Sequence, residues 1–502
     1  MHVSEVTKIR RKVLAEVSRL ALEGTLEENI AGILSTVVSE DGPRYRCCVH
    51  KERAVLKDRI NMALSQPIGT PLIEAAGRAL GGERAELPAI NLLPEACDRC
   101  PIDKFLVTDA CRNCLAHNCI ASCPKKAIMV VQNRAYIDKT ICIECGMCKR
   151  SCSYGAIIEI SRPCERACDL KAIVAGSDRR AFIDYDKCVQ CGACKVACPF
   201  GAISERSEIV QLIQRIKAGQ RVYALLAPAF IGQFGPKVKP EQIIGAIGRF
   251  GFHGVKEVAL GADAVALAEA GEFTRAVPAE QPFLTTSCCP AFVDMVEKHL
   301  PDAGDRVSTT VSPMIVAAKA VKEEDPSAAI VFIGPCIAKK AEARRYPDLV
   351  DFVLTFEELA AMFVGAGINV AETDAGEHLT AASRDGIGFA RAGGVTQAVL
   401  DTVAHLAPGA TLKPQRADGL ADCLAVLTKM QQGALDANFL EGMACQGGCV
   451  GGPGTMADQR LTAKLLELYA GQAPVATAPD NTAARAQKDL HRRKKLPLLQ
   501  QE

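Results

Sequence analysis

Tryptophan is absent from the 502 residues, and Phe and Tyr bring the aromatic share only to 5%. Proteins that grip single-stranded nucleic acid stack bases on aromatic rings, so that class is poorly served. A surplus of one charge is also missing: 59 Lys and Arg against 58 Asp and Glu give a formal net charge of +1. No global field draws in a polyanion or an anionic lipid surface. No apolar run reaches membrane-spanning length. The opening segment, MHVSEVTKIRRKVLAEVSRLALEG, carries charges throughout and patterns as an amphipathic helix. It lacks the apolar stretch and small-residue cleavage site of a signal peptide. The expectation is a soluble, cytoplasmic protein of several domains, with neither nucleic acid nor membrane as partner.

What is plentiful is cysteine, 24 in all. A reducing cytosol disfavours a disulfide framework, so metal ligation is the better explanation, and the spacings name the metal. Cys188, Cys191, Cys194 and Cys198 follow C-x2-C-x2-C-x3-C-P, the bacterial ferredoxin spacing. Cys142, Cys145, Cys148 and Cys152 repeat it with Ser153 in place of Pro, and Cys111, Cys114, Cys119 and Cys123 are two residues longer in the middle. A tight turn places three thiolates on three corners of one 4Fe-4S cube, while the fourth Cys points to a neighbouring cube. This pairs Cys111, Cys114 and Cys119 with Cys152, and Cys142, Cys145 and Cys148 with Cys123. Cys168, in PCERACDLKAI, fits as the outside ligand for Cys188, Cys191 and Cys194. Cys97, Cys100, Cys164 and Cys198 remain for a fourth cluster, with structural zinc at Cys97 and Cys100 as the competing reading. Roles for Cys47 and Cys48 stay open, and His117 reads as a loop residue. A row of clusters moves single electrons between a surface partner and a buried centre.

The segments divide as 1–96, mostly helical; 97–205, cysteine-dense; 206–460, alternating apolar strands and helices; and 461–502, a tail whose basic run KDLHRRKK reads as solvated, with docking of an acidic redox partner as the alternative. RVYALLAP (221–228), VKEVALGA (255–262), PFLTTS (282–287), AAIVFIGP (328–335) and DFVLTF (351–356) read as buried strands. PEQIIGAIGRF, SPMIVAAKAVKEE and FEELAAMFVGAG read as helices between them, an α/β pattern. Ligands in such sheets sit beyond the strands' carboxyl ends, where Cys288, Cys289 and Cys336 fall. No G-x-G-x-x-G follows a strand, so a nicotinamide site would belong to another subunit. Cys423 reads as a buried helical residue.

Three turns in the C-terminal half, TTSCCP (285–290), GPCIAKKAE (334–342) and EGMACQGGC (441–449), together resemble the active-site signature of the iron-only (FeFe) hydrogenases. The departures, CCPAF with Phe292, GPC with Gly334 and ACQGGCVGGPG, resemble a divergent, group B-like branch of the monomeric enzymes. The resemblance implies an α+β and α/β multidomain fold: a helical N-terminal region, ferredoxin-like 4Fe-4S domains, then a two-lobed α/β hydrogenase catalytic domain. It implies an H-cluster, a 4Fe-4S cube bridged to a two-iron centre with CO, CN and a dithiolate, and three or four further 4Fe-4S clusters. The activity implied is 2 H+ + 2 e− to H2 and back. The implied partners are ferredoxin or a similar one-electron carrier, and maturation enzymes for the two-iron unit. A sensory relative, or an iron–sulfur assembly or electron-transfer protein, is the alternative.

Carried over residue by residue, the cube ligands are Cys289, Cys336, Cys445 and Cys449, with Cys449 bridging. Cys288 matches the proton-relay thiol, a titratable group that a metal-bound cysteine cannot be. Lys339 matches a lysine that hydrogen-bonds a cyanide, while Lys340 reads as a surface lysine. Ser312 and Met443 match positions lining the two-iron unit. Glu269, Glu272 and Ser308 match a Glu–Ser–Glu proton path, whose outer arginine falls on Ala276 beside Arg275. Glu342 and Glu441 are expected to form salt bridges within the site.

Overall fold

The computed structural model describes residues 3–41, 45–98, 100, 103–379, 381–487, 490 and 493. Among them, no helix is long and apolar enough to cross a membrane. The first helix, Glu5–Glu23, starts where the Ser4 side chain accepts from the Thr7 N–H and stops at Gly24, the usual N-cap and left-handed C-cap pair. It lies on the Phe356–Gly365 helix of the C-terminal half. Arg10 and Arg11 reach across to Glu357 at 2.8 and 2.9 Å, and Lys195 from a cysteine loop meets Glu357 at 3.3 Å and Glu205 at 2.6 Å. Burial alone would raise the Glu357 carboxyl, but Lys195, Arg10 and Arg11 hold it well below its ordinary value. Three parts of the chain are thus joined by one buried ionic network.

The cysteine-dense part is one ferredoxin-like unit nested inside another. In the outer unit, Ile90–Leu92 pairs antiparallel with Ile203–Glu205, and Ile173–Ala175 pairs with Ala181–Ile183. In the inner unit, Phe105–Val107 pairs with Ile157–Glu159, and Ile128–Val131 pairs with Arg134–Ile137. Each unit therefore reads terminal strand, cysteine loop, hairpin, cysteine loop, terminal strand. The inner hairpin turns at Gln132 and Asn133, both at positive φ, as a type I′ turn requires. The whole inner unit lies between Cys100 and Cys164. That insertion breaks the spacing of the outer unit's first motif, so the sequence shows Cys97 and Cys100 as an isolated pair and Cys164 and Cys168 as a degenerate repeat. The outer ribbon also draws residues 90–92 into the cluster region, upstream of the boundary expected at 97.

The C-terminal half holds two parallel sheets. One runs Gly254–Glu257, Val222–Leu226, Ala329–Gly334, Phe352–Thr355. The other runs Leu284–Thr285, Phe439–Met443, Pro414–Asp418. Helix Val258–Ala276 packs on helices Pro313–Glu324 and Gly394–Leu406. Two expected strands are shorter than read. VKEVALGA is a strand only to Glu257 and then enters this helix, and PFLTTS keeps only Leu284–Thr285. A helix buried on most sides has the same continuous apolar run as a buried strand, so periodicity could not separate them. The strands 414–418 and 439–443 escaped the sequence reading. PQRAD carries charges on a short edge strand, and FLEGM is interrupted by Glu441. The expected tail is also corrected in part: Gln459–Ala470 is a helix, and Leu466, Tyr469, Ala470, Ala478 and Ala484 are buried in the main core. Asn481 donates to Asp263 at 2.8 Å. The basic run 488–495 lies outside the described residues except for Leu490 and Arg493. Arg493 pairs with Glu297.

Candidate catalytic centre and cluster sites

All three cysteine turns of the C-terminal half follow the carboxyl ends of parallel strands: Cys288 and Cys289 after Leu284–Thr285, Cys336 after Ala329–Gly334, Cys445 and Cys449 after Phe439–Met443. They converge on one cavity of about 90 Å³ between the sheets, lined also by Lys339, Met443, Pro228, Phe332 and Phe389. Burial pushes the free thiols of Cys336 and Cys449 up to about 12, and those of Cys288 and Cys445 rise well above the usual range. Four thiolates in so dry a place require a cationic centre to ionise them. Two buried polar atoms without protein partners stand on residues next to this lining: Ser312 Oγ, beside Pro313, and Glu269 Oε2, whose carboxyl is bonded to Ser287. The donor set thus fits an iron–sulfur cube with a second polar group beside it.

Lys339 Nζ lies 2.6 Å from Glu342 Oε2 and 3.4 Å from the Cys288 carbonyl. Burial would lower its pKa, but Glu342 and the nearby thiols hold it above the ordinary lysine value. Lys340 is not the surface lysine expected. Its side chain is fully buried, 2.8 Å from both Glu358 oxygens and from the Arg206 carbonyl, because the short Ala338–Ala343 helix is covered on both faces. Glu342 does pair with Lys339. Glu441 forms no such pair: it accepts from the Gly393 and Thr396 N–H groups and the Thr396 hydroxyl at 2.6–2.7 Å, beside the N-terminus of helix Gly394–Leu406, where backbone donors favour an anion.

Glu269 and Glu272 are both buried on helix Val258–Ala276. Ser308 Oγ donates to Glu272 Oε2 at 2.7 Å, and Thr309 adds its N–H and hydroxyl at 3.1 Å. Glu269 Oε1 accepts instead from Ser287, N–H at 2.9 Å and hydroxyl at 3.1 Å. The expected Glu–Ser–Glu chain therefore has its outer link, while the inner glutamate is tied to the residue before Cys288. Desolvation raises Glu269 from 4.5 to about 8, with Glu272 and Glu441 adding to it. Ser287 and Thr309 escaped the sequence reading, since their only signal was adjacency to Cys288 and Ser308.

The departures from the hydrogenase motifs have local reasons. Phe292 is fully buried and fills the space over Gly442, where an added Cβ would meet its ring at 2.2 Å. Met443 is buried beside it. Cys423 is buried, its thiol directed at the Ala417 and Met443 carbonyls.

The upstream cysteines gather in four sets. Cys168, Cys188, Cys191 and Cys194 line one cavity, and Cys123, Cys142, Cys145 and Cys148 another. Cys119 interacts with Cys111 and Cys152. Cys164 interacts with Cys198, Cys100 and Cys97, and burial raises it to about 11. Backbone N–H groups point at the sulfurs of Cys97, Cys111, Cys123, Cys142, Cys168, Cys188 and Cys198, at 3.2–3.5 Å. Among the described residues, no three His, Cys, Asp or Glu side chains close on the position of a single ion. Thiolates of a cube stand at separate corners. Cys47 and Cys48 lie apart from these sets, their sulfurs 3.8 Å from each other. His117 sits in its loop, bonded to Asn113 at 3.0 Å.

Cys191 lines both its own cavity and the one that Cys288, Cys289, Cys336, Cys445 and Cys449 line. Next to it, Gly192 at φ +85° presses on Ile337 and Pro453, each 2.9 Å from where a Cβ would stand, so only glycine allows this approach. Lys298 clamps the same loop, donating to the Tyr185 and Cys188 carbonyls at 2.7 and 2.8 Å.

Residues 220–453 match the family described as the iron only hydrogenase large subunit, C-terminal domain. This part of the chain is similar to an iron-only hydrogenase domain. Residues 181–204 match the 4Fe-4S binding domain. Iron hydrogenase 1 of Clostridium pasteurianum is 29% identical over 278 residues, 46% of this chain and 48% of the relative. A subunit of an NADP-reducing hydrogenase of Solidesulfovibrio fructosivorans is 28% identical over 367 residues, 63% of this chain and 56% of that one. The match thus spans about half the length of these relatives. Among solved structures, an apo FeFe-hydrogenase from Chlamydomonas reinhardtii is 26% identical with a TM-score of 0.46, covering 53% of this chain and 88% of the other. The protein is FeFe-hydrogenase-like, with iron–sulfur domains joined to the hydrogenase domain.

Proposed function

We propose that this chain interconverts protons and dihydrogen, 2 H+ + 2 e− to H2 and back, at an H-cluster. The observation that carries the reading is the convergence of five cysteines, Cys288 buried and the other four half-buried where they face the space, and of Lys339 on one cavity that Cys191 of a cluster loop also lines. Cys289, Cys336, Cys445 and Cys449 would hold the cube, Cys449 being the ligand it would share with the two-iron unit. When bound, the H-cluster supplies the redox-active iron and the basic amine that make or split dihydrogen.

The chain's own groups do the rest. Lys339 Nζ keeps a positive charge, aligned by Glu342, for the cyanide side of the two-iron unit. Ser312 offers its unpaired hydroxyl, and Met443, Phe332 and Phe389 exclude water. Cys288 Sγ takes up and returns the proton at the cofactor. Its carrier outward is Glu269, held in place by Ser287, then Ser308 and Glu272, whose link is already a hydrogen bond. Four sets of cysteines would hold the cubes that supply one-electron redox chemistry: Cys168, Cys188, Cys191 and Cys194 next to the H-cluster cavity; Cys97, Cys100, Cys164 and Cys198; and, in the inner unit, Cys111, Cys114, Cys119 and Cys152, and Cys142, Cys145, Cys148 and Cys123. Four upstream 4Fe-4S clusters follow, fed by ferredoxin or a similar carrier, with maturation enzymes supplying the two-iron unit. The proposed domains are 1–96, 97–205, 206–460 and 461–502, with the cluster region beginning at the 90–92 strand.

Infrared spectroscopy on protein matured and purified without oxygen tests this. Carbon monoxide and cyanide bands that shift under dihydrogen support the enzyme. Their absence, despite full iron–sulfur loading and competent maturation, sinks it in favour of an assembly or electron-transfer protein.

A further inference from the structure

The two nested ferredoxin-like units share a topology but not a surface. In the outer unit, Ile90, Asn91, Ile203, Ser204 and Glu205 of the terminal ribbon are buried, with the Val49–Ala63 helix packed against it. The equivalent ribbon of the inner unit has no such cover. Leu106 and Ile158, directly opposite each other, are 43% and 41% exposed. The inner hairpin repeats the pattern with Met129 opposite Tyr136, 44% and 50% exposed, and Val131 two residues along on the same face. The other faces of these strands, Phe105, Val107, Ile128, Ala135, Ile137 and Ile157, are buried with the cluster cysteines. An antiparallel ribbon with one solvated face normally turns polar residues outward, and a contiguous apolar face marks an interaction site.

Charge says what kind of protein covers it. Every acid of the inner unit is engaged: Asp103 with Lys139, Asp109 with Arg134, Glu144 with Arg179, Glu159 with Lys104 and Lys149, and Asp138 with Thr140. Arg112, Lys125, Lys126 and Arg150 are exposed and, among the described residues, form no ion pair. The clusters beneath are anionic when held by four thiolates each, but the side-chain charge left unpaired at this unit's surface is positive, and these exposed cations favour an acidic partner surface.

We propose that the outward face of Leu106, Ile158, Met129 and Tyr136 is the docking surface for a small acidic protein that carries one electron at a time. This rests on the reading above that the clusters conduct electrons. In the transfer, one electron leaves the carrier's reduced cluster and enters a cluster of the inner unit; no covalent bond changes and no proton moves. Apolar contact over the clusters holds the complex, and the four cations steer the approach.

The test is anaerobic stopped-flow spectroscopy on the cluster-loaded full chain, with a reduced acidic 4Fe-4S ferredoxin as probe and cluster bleaching as readout. Because no hydrogen turnover is read, failure of the hydrogenase reading leaves this test intact. Ile158→Glu and Met129→Glu, both at exposed positions, are expected to slow ferredoxin-to-chain transfer by about tenfold or more. Reduction by dithionite should stay unchanged, as should iron content. Lys125→Glu with Lys126→Glu should slow the transfer at low salt, with the difference shrinking as salt rises. Unchanged ferredoxin rates in Ile158→Glu and Met129→Glu would overturn the proposal. A wild-type dimer that these variants dissociate in sedimentation equilibrium would overturn it too, assigning the face to a second copy.

Discussion

Glu269 is the group whose behaviour the structure constrains most sharply. It is fully buried, with one oxygen bonded to Ser287 and the other unpaired. Burial raises its pKa from 4.5 to about 8. At roughly 1.4 kcal/mol per tenfold change in proton affinity, that is about 5 kcal/mol in favour of the neutral acid. The folded state therefore binds this proton more tightly than the unfolded chain does. Its stability is undiminished below pH 4.5 and falls as pH rises from there towards 8, where the loss levels off. Glu269→Gln keeps the shape and removes the titration. The variant should match the wild type near pH 4.5 and resist unfolding better at pH 8, by a few kcal/mol after structural relaxation. Proton-coupled turnover should fall by about a hundredfold or more, the usual contribution of a positioned proton carrier. The direct assay is infrared difference spectroscopy, wild type minus Glu269→Gln, following the carboxyl C=O stretch across pH. A protonated carboxyl at pH 7 that ionises near pH 8 is expected. A midpoint near 4.5 would refute the reasoning, since the site would then be wet.

Other consequences are equally concrete. Cys288→Ala should abolish most turnover while leaving the infrared bands and iron content intact, and full activity would remove it from the proton route. Cys164→Ala should lower bound iron by about four per chain if Cys97, Cys100, Cys164 and Cys198 hold a cube; loss of zinc at constant iron would assign that set to zinc. Lys340→Met leaves Glu358 buried without its ammonium, and should destabilise the fold by about 3–5 kcal/mol. Chemical denaturation of the cluster-loaded protein measures this, and a loss under about 1 kcal/mol would mean Glu358 is neutral or hydrated.

Ligand spacing is local information, and it could be read directly. A cube demands three thiolates from one tight turn, so Cys188, Cys191 and Cys194 announce themselves wherever they lie in the fold. Burial of two glutamates three residues apart was not legible in the same way. GADAVALAEAGEF is compatible with an exposed face, and only the packing of helices 313–324 and 394–406 against it closes that face. Lys340 illustrates the converse: a lysine beside a lysine reads as surface until the Phe356–Gly365 helix brings Glu358 to it. The nested arrangement lay further out of reach. Cys97, Cys100, Cys164 and Cys198 could be grouped as the cysteines left over, but only the strand pairing of 90–92 with 203–205 shows that the inner unit is inserted between Cys100 and Cys164.

The chain's residues by themselves determined the ligand chemistry: soft thiolates in fixed short spacings, and a spare thiol in the TTSCCP turn. Tertiary structure decided which ligands share a site and which ionisable groups are dry. Both depend on contacts between segments distant in sequence, and desolvation, unlike ligand spacing, is a property of everything packed around a side chain.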